Sequence, residues 1–137
     1  MENAPDSVID QILAWKTWAV VGLSNNADRT AYGVANLLQK KGHRIVPVHP
    51  KAETVHGEKG YASLSAIPFP IDVVDIFVNS DLAGAVIDEA ISIGAKAVWL
   101  QLNVVDEDGL ARAHQAGMLA VMNRCPTIEY GKRESRD

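Results

Sequence analysis

The sequence predicts an α/β domain built on a doubly wound sheet of about five parallel strands, with helices on both faces. Short apolar runs of strand length alternate with segments of helical spacing along the chain, a pattern typical of right-handed βαβ crossovers. The run at residues 96–101 is almost continuously apolar, as strands buried on both faces of a parallel sheet are. A length of 137 residues is most simply one domain, residues 1–137.

The chain is organised around a predicted strand, tight loop and helix within residues 18–39. The apolar run ends at Gly22, small polar residues follow, and helical spacing returns at Val34. The start of a helix offers unpaired backbone N–H groups and the positive end of the helix dipole. We therefore expect the amides just past Gly22 to form an anion site, with phosphate as its guest and Thr30 as the helix N-cap.

The remaining elements follow from the same signals. A helix is predicted at residues 7–15 with Asp6 or Ser7 as its N-cap, and a strand at residues 44–50 that contains Pro47. Residues 52–70 read as a long connection with a minor strand near Tyr61. The last predicted elements are a strand at 72–78, a helix from 79 to 93, a strand at 96–101, a helix at 106–116, a strand at 118–122 and a mobile polar tail at 131–137.

Composition limits the classes of partner. The net charge is −4 with charges of both signs interspersed, so no extended basic face is expected for nucleic acid. No apolar run approaches the roughly 20 residues that span a bilayer, and no leader-like segment opens the chain, so we expect a soluble, cytoplasmic protein. Cys125 is the one cysteine, and it is expected to be a small buried hydrophobe. The four histidines lack metal-ligand spacing, so no metal site is predicted.

Ligands of doubly wound sheets bind outside the carboxyl ends of the strands, where the strand order reverses. The predicted ends carry no Ser-His-Asp set, no Cys-His pair and no carboxylate cluster. Asp72 and Asp75 lie on opposite faces of their strand and cannot act as an acid and base pair. We therefore expect no catalytic residue, and the question of enzyme activity stays open with a lean towards binding.

Two features of the strand ends bear on which nucleotide binds. The first loop departs from the dinucleotide pattern G-x-G-x-x-G, because Ser24 and Ala27 stand where the second and third glycines would be. The second strand ends in His49-Pro50-Lys51, where an NAD site usually has an acidic residue for the ribose hydroxyl. A basic group there suits a phosphorylated ribose, as in NADP or the 3′-phosphoadenosine end of coenzyme A (CoA).

Two side chains near this mouth have competing interpretations. Arg29 precedes the helix, where its guanidinium could bind phosphate, or it could pair with Asp28 at the surface. In the fourth strand Trp99 is expected in the core. Gln101 shares its strand face and lies nearer the mouth, which makes it a candidate for contact with adenine or pantetheine.

Several segments together carry a family resemblance. They are Val20-Val21-Gly22-Leu23-Ser24 with Arg29, Val46-Pro47-Val48-His49-Pro50, residues 57–64, residues 73–80, Gly94-Ala95-Lys96-Ala97-Val98-Trp99-Leu100-Gln101, and Asn123-Arg124-Cys125-Pro126 with Ile128-Glu129. In these segments the chain resembles the small stand-alone CoA-binding domain proteins of bacteria, which are similar to the N-terminal CoA-binding domain of the succinyl-CoA synthetase α subunit.

The resemblance implies a Rossmann-like domain that binds CoA or an acyl-CoA without catalysis of its own. The first loop would hold the phosphates, and the ends of the next three strands would hold the rest of the ligand. The resemblance places Gly22, Ser24, Asn25, Arg29, Lys51, Phe77, Asn79 and Gln101 in or near the site. The predicted cofactor-binding set also includes the strand-end residues Leu23, His49, Pro50, Val78 and Asn103. The chain departs from the family pattern, which usually has Asn, Arg and Gly where His49, Val78 and Asn103 stand.

Two alternatives to CoA binding remain at this point. An NADP-dependent oxidoreductase would use the same phosphate-binding features, and His49 is the one histidine at the mouth that could supply a proton. A third class is an interaction module that docks on a larger acyl-CoA enzyme and uses CoA as a structural ligand.

Overall fold

The computed structural model describes residues 4–134 and confirms the predicted α/β Rossmann-like fold. One sheet holds five parallel strands in the order β2-β1-β3-β4-β5. The strands are β1 (Thr17–Val21), β2 (Arg44–Val48), β3 (Val73–Ile76), β4 (Ala97–Leu100) and β5 (Leu119–Val121). The helices are α1 (Asp6–Leu13), α2 (Thr30–Lys40), α3 (Ser80–Ser92), α4 (Glu107–Gln115) and α5 (Pro126–Glu134), with a 3-10 turn at Leu64–Ala66.

The two faces of the sheet bury separate apolar cores. Along β1, Ala19 and Val21 point into the core beneath α3 and α4, whereas Trp18 and Val20 point into the core beneath α1 and α2. This period-two alternation is a direct consequence of strand geometry. Trp99 is fully buried beside Trp18, with ring centroids 5.7 Å apart, so the predicted core position of Trp99 is confirmed.

Strand order reverses between β1 and β3. The chain leaves β1 for β2 on one side, then returns across the sheet to β3 on the other side of β1. Helix α2 therefore covers one face and α3 the other, and their first turns lie on either side of the crevice between β1 and β3. This arrangement places the ends of both strands and both helix N-termini around one opening.

Pro47 is accommodated because β2 is an edge strand. Only β1 pairs with β2 within the sheet, so the missing N–H of Pro47 leaves no ladder bond unmade. The Pro47 carbonyl accepts the N–H of Tyr61 at 2.9 Å, and Val48 forms an isolated parallel bridge with Tyr61. The expected minor strand near Tyr61 is thus a single bridge that covers the sheet edge.

The C-terminal part differs from the expectation of a mobile tail. Residues 126–134 form helix α5, and Arg133 donates hydrogen bonds to the side chains of Asp10 and Glu129. Because Asp10 is 123 residues away in sequence, no local pattern could predict this stabilisation. Residues 135–137 of the predicted tail lie outside the described residues.

Two predicted N-caps are wrong. Helix α1 begins after Pro5, and no side chain caps it. Thr30 is the first residue of α2 rather than its N-cap, because Arg29 holds the extended N-cap conformation with φ −84° and ψ 141°. Within residues 4–134, no helix has the length and apolar character needed to cross a bilayer.

Candidate functional site

A cavity of about 940 Å³ opens at the carboxyl ends of the strands, at the crevice where strand order reverses. Its floor is the row of residues that follow the strands: His49 after β2, Gly22 after β1, Phe77 after β3 and Gln101 after β4. The backbone N–H groups of Gly22, Phe77 and Gln101 each donate to a carbonyl of the neighbouring strand, at 2.8, 3.0 and 3.1 Å. The sheet ladder thus continues into the floor and holds it rigid.

Gly22 sits where two backbones meet closely. Its φ is +102°, and a Cβ built there would lie 3.2 Å from the Cβ of Phe77. A side chain at this position would be strained by the backbone conformation and would crowd its neighbour. Glycine therefore allows the two chain segments to approach each other closely here.

The first turn of α2 faces the cavity without a side-chain cap. Arg29, Thr30 and Ala31 all line the cavity. No side chain caps the helix, since the guanidinium of the N-cap residue Arg29 has no acceptor. The first N–H groups of a helix have no intrahelical acceptor. Those of Thr30 and Ala31 therefore add to the positive end of the helix dipole at this wall.

The first turn of α3 has the same character. Asn79 and Leu82 line the cavity, and the N-cap residue Asn79 makes no side-chain capping bond. Helix α4 provides the contrast, because the Asp106 side chain caps it by accepting the Gly109 N–H at 2.9 Å. The two helices that point at the cavity therefore lack the side-chain cap that α4 has.

The loop after β1 is less available to an anion than the sequence predicts. The N–H of Asn26 points at the Ser24 hydroxyl at 3.3 Å, and the N–H of Asp28 donates to the Asn26 side chain at 3.0 Å. The carboxylate of Glu53 accepts the N–H of Asn25 at 3.3 Å. Short polar side chains commonly fold back on nearby amides in this way. The amides of this loop are thus partly used within the protein, whereas no side chain caps the first turn of α2.

Two cationic side chains line the cavity. Arg29 and Lys51 line the cavity, are exposed, and form no ion pair with any described residue. The alternative pairing of Arg29 with Asp28 is therefore not seen. The Lys51 N–H donates to Nδ1 of His49 at 3.1 Å, so the turn at His49-Pro50-Lys51 is fixed at the end of β2.

Gln101 is buried in the cavity floor with its polar atoms unused. The residue is 5% exposed, and neither Nε2 nor Oε1 of its carboxamide has a hydrogen-bond partner among residues 4–134. A buried carboxamide without partners is costly. Apolar side chains of Leu82, Val86, Leu102 and Val104 line the same cavity.

The family of the chain follows from comparison with known proteins. The family described as CoA binding domain matches residues 16–131, a span that contains all five strands and every residue lining the cavity. The chain belongs to the CoA-binding domain family.

Curated relatives of this CoA-binding domain are of two kinds. The uncharacterized protein YneT of Bacillus subtilis is 34% identical over 131 residues, with 95% of this chain and 97% of that protein covered. The acetate–CoA ligase (ADP-forming) II subunit alpha of Pyrococcus furiosus is 33% identical over 121 residues, which cover 80% of this chain. The matched region spans only 26% of that ligase subunit.

Solved structures show the same fold. A hypothetical protein from Pyrococcus horikoshii OT3 superposes with a TM-score of 0.88 at 37% identity, covering 96% of this chain and 98% of its own. A dinucleotide-forming acetyl-coenzyme A synthetase of Ca. Korarchaeum cryptofilum, in complex with phosphate and ADP, gives a TM-score of 0.73 at 26% identity. That match covers 84% of this CoA-binding domain and 27% of the synthetase chain.

The structure brings most of the predicted cofactor-binding residues to the cavity of the CoA-binding domain. Those that line it are Gly22, Ser24, Arg29, His49, Pro50, Lys51, Phe77, Val78, Asn79 and Gln101. Leu23 is instead fully buried in the core beneath α2. Asn25 is exposed and donates to the Thr54 carbonyl, and the N–H of Asn103 donates to the Asn123 side chain. These three residues do not line the cavity.

Sequence reasoning missed the α3 side of the cavity. Leu82, Val86 and Glu89 lie one turn apart along α3, and Leu82 is 56% exposed. The Glu89 carboxylate accepts the N–H groups of Leu64 and Ser65. The available sequence signal was Leu82, an apolar residue directly after the polar residues 79–81 that begin the predicted helix.

Asp75 lies in the core of the sheet and outside the cavity. It is fully buried on the central strand β3, and neither carboxylate oxygen has a partner within the described chain. Burial raises the pKa of Asp75 well above its ordinary value, since desolvation disfavours the charged form. We therefore expect Asp75 to affect the stability of the fold. It does not line the cavity.

A second cleft, of about 500 Å³, opens at the opposite end of the sheet. It lies at the amino ends of β4 and β5, and Trp15, Lys96 and Met118 are among its lining residues. The Lys96 ammonium is held there by Asp72 at 3.3 Å. The two clefts are thus separated by the length of the strands.

Proposed function

We propose that this chain binds CoA or an acyl-CoA in the cavity at the carboxyl ends of its strands, as a binding protein without chemistry of its own. The observation that carries the proposal is the first turn of α2, which faces the cavity without a side-chain cap. Arg29 and Lys51 line the same cavity and form no ion pair with another described residue. CoA presents a pyrophosphate and a ribose 3′-phosphate, and helix N-termini and guanidinium groups suit these anions.

The geometry supports a specific arrangement of the ligand. The pyrophosphate lies at the N–H groups of Thr30 and Ala31, and the 3′-phosphate lies towards Lys51 at the end of β2. Arg29, the N-cap residue of α2, lines the same cavity and contributes a guanidinium to the phosphates. The part of the ligand next to the pyrophosphate lies in the crevice beside Gly22. Membership of the CoA-binding domain family supports the choice of CoA over other adenine nucleotides.

The test is calorimetric titration with CoA, dephospho-CoA, NADP and NAD. We expect CoA to bind roughly tenfold more tightly than dephospho-CoA, because the 3′-phosphate makes charge-assisted hydrogen bonds. Arg29→Gln and Lys51→Gln each lower the affinity for CoA by roughly threefold to tenfold. The effect is modest because both side chains are exposed and solvent screens their charges. Lys16→Gln, at the opposite end of the sheet, leaves CoA binding unchanged.

Each other outcome contradicts a defined part of this proposal. Equal binding of CoA and dephospho-CoA removes the roles given to Lys51 and Arg29 at the 3′-phosphate. Absence of CoA binding overturns the proposed function as a whole. Tight NADP binding together with hydride transfer to a carbonyl substrate favours the oxidoreductase alternative instead.

A second candidate function is a module that presents its CoA to a separate acyl-CoA enzyme. It is favoured by the match to one part of a longer ligase subunit, of which the matched region spans 26%. Leu82, Leu102 and Val105 are exposed at 56, 42 and 42%, and the first two border the cavity mouth. Affinity purification with and without added CoA, followed by identification of retained enzymes, tests this role.

A further inference from the structure

We infer that an exposed apolar patch beside the cavity docks a basic protein surface, that of an enzyme which uses the bound CoA. The patch, called the mouth patch here, consists of Leu82 in the first turn of α3 and of Leu102 and Val105 in the loop between β4 and α4. The inference rests on the proposed function, and within it on the role of a module that presents CoA. It adds the docking face and the chemistry of the partner.

The two segments that carry the mouth patch are joined by hydrogen bonds. Ser80 begins α3, and its hydroxyl accepts the Val105 N–H at 2.9 Å and donates to the Asn103 carbonyl at 3.3 Å. The Asn103 N–H in turn donates to the Asn123 side chain at 2.8 Å. The loop is therefore held against α3 before any partner arrives, which lowers the entropy cost of binding.

Large exposed apolar side chains are few and concentrate at the mouth patch. Leu82, Leu102 and Val105 are 56, 42 and 42% exposed, and among residues 4–134 the one further large apolar side chain of this kind is Ile128, on α5. Scattered exposed apolar residues are normal on a protein surface, whereas neighbouring ones mark interaction sites. The mouth patch fits the second description and Ile128 the first.

Acidic side chains flank the mouth patch. Residues 79–84 and 101–108 contain no Lys or Arg but four carboxylates, those of Asp81, Asp106, Glu107 and Asp108. Arg112 reaches this region from the next turn of α4, where it pairs with Asp88 at 2.8 Å, and the region stays net negative. Carboxylates also suit the first turn of a helix, so the acidity alone identifies no site. Its combination with exposed apolar residues does define a complementary surface.

This charge selects among the surfaces that could cover the mouth patch. Carboxylates repel anionic lipid headgroups and nucleic-acid phosphates. In a two-fold dimer each patch would face its own copy, which would bring like charges together. A protein surface with apolar residues flanked by Lys or Arg complements both the apolar and the acidic groups. Because three side chains form the patch, the contact is small and transient.

The position of the mouth patch indicates what kind of protein docks there. Leu82 and Leu102 line the cavity, so a partner on the patch stands beside the proposed ligand. Such a partner reaches the thiol or thioester of CoA, which is what an enzyme that uses CoA requires. In two relatives the matched domain is part of a longer chain, since it spans 26% of the ligase subunit and 27% of the synthetase.

The first experiment is photo-crosslinking in the cells from which the chain comes. The photoreactive residue benzoylphenylalanine replaces Val105, or Ile128 as the matched control at an exposed apolar position on α5. We expect the probe at position 105 to crosslink to an enzyme that uses CoA, at a peptide that contains Lys or Arg. The probe at position 128 is expected to give no such product.

The second experiment measures the affinity of the purified enzyme for this chain. Val105→Ser and Glu107→Lys each lower that affinity by roughly threefold to tenfold, whereas Ile128→Ser leaves it unchanged. Added salt weakens binding of the wild type more than binding of Glu107→Lys. Neither Val105 nor Glu107 lines the cavity, so both variants keep the wild-type affinity for CoA. Thermal unfolding checks that each variant is folded.

Each other outcome overturns the inference. These outcomes are equal crosslinking at positions 105 and 128, a crosslink to a second copy of the chain, and a crosslinked protein that uses no CoA. Binding that is indifferent to Val105→Ser, Glu107→Lys and salt also overturns it. Failure of the proposed function is seen separately, because calorimetry of the isolated wild type with CoA needs no partner.

Discussion

Gly22 and Phe77 approach each other across the crevice between β1 and β3, so that a Cβ on Gly22 would lie 3.2 Å from the Cβ of Phe77. The φ of Gly22 is +102°, a conformation that other residues rarely adopt. Both residues line the cavity proposed to bind CoA, so a change in their packing affects the stability of the fold and the shape of the cavity together.

Substitution Gly22→Ala is expected to reduce both stability and CoA affinity. The backbone strain costs about 1–3 kcal/mol of the free energy of unfolding, and any shift that relieves the crowding moves the cavity floor. Gly33→Ala is the matched control, since Gly33 is exposed within α2 and its Cβ would meet nothing within 4 Å. There the change stabilises by about 0.5–1 kcal/mol. Denaturant unfolding and calorimetry measure the pair, and equal effects at both glycines contradict the interpretation.

Asp75→Asn is expected to stabilise the domain at neutral pH. The pKa of Asp75 is raised by burial, so the folded state keeps a proton that the unfolded chain has released. Wild-type stability therefore falls as pH rises above about 4, the ordinary value for Asp, until the raised folded pKa is passed. The variant lacks this loss, so the difference between the two unfolding free energies grows over that range.

Urea unfolding from pH 4 to 8 measures this difference. Asp72→Asn is the comparison variant, because Asp72 pairs with Lys96 and accepts the Thr17 N–H and its loss destabilises. A lower stability of Asp75→Asn across the whole pH range would show that the carboxylate has a stabilising partner.

For His43 we expect the stability of the fold to depend on pH with the opposite sign. Burial lowers the pKa of His43 against the opposing effect of backbone hydrogen bonds with Trp15 and Lys16. Its Nδ1 donates to the Trp15 carbonyl at 2.8 Å, and its Nε2 lies 2.5 Å from the Tyr130 hydroxyl. Because the folded state resists protonation, stability is lost as pH falls from about 6.5, the ordinary value, towards the lower folded pKa.

Thermal unfolding at pH 7 and pH 5 tests this dependence. His43→Gln is expected to lose less stability than the wild type between the two pH values, although it is less stable at pH 7. His114→Gln, at an exposed position on α4, keeps the wild-type dependence. If His43→Gln also keeps it, another group is responsible.

Asp106→Ala is expected to weaken the fold without affecting the ligand. The Asp106 carboxylate caps α4 through the Gly109 N–H, and loss of such a cap costs about 1 kcal/mol. CoA affinity stays unchanged because Asp106 does not line the cavity. Asp108→Ala, in the same first turn but without the capping bond, costs less. A large effect of Asp106→Ala on CoA binding would contradict the assignment of the cavity.

The fold was predictable because its signals are local. Apolar runs depend on neighbouring residues alone, and so do the glycines that end α2, α3 and α4, Gly42, Gly94 and Gly117, all with positive φ. Helix α5 was not predictable, because its support comes from Arg133 reaching Asp10 across the chain. The strand order that creates the crevice likewise depends on long-range packing rather than on any one motif.

The location of the site could be predicted from the sequence, but the hydrogen bonds and side-chain orientations within it could not. The rule that ligands bind at carboxyl strand ends selected Gly22, Lys51 and Gln101, which all line the cavity. It could not show that Glu53, distant in sequence, accepts the Asn25 N–H and so occupies part of the expected phosphate loop. It also placed Leu23 in the site, whereas the chain turns this side chain into the core.

The most direct test of the central claim is amide chemical-shift mapping by NMR during titration with CoA. We expect saturable shifts that are largest at Thr30 and Ala31, in the first turn of α2, with smaller shifts at Gly22 and Gln101. Shifts confined to the cleft around Lys96 and Met118, at the other end of the sheet, would contradict it.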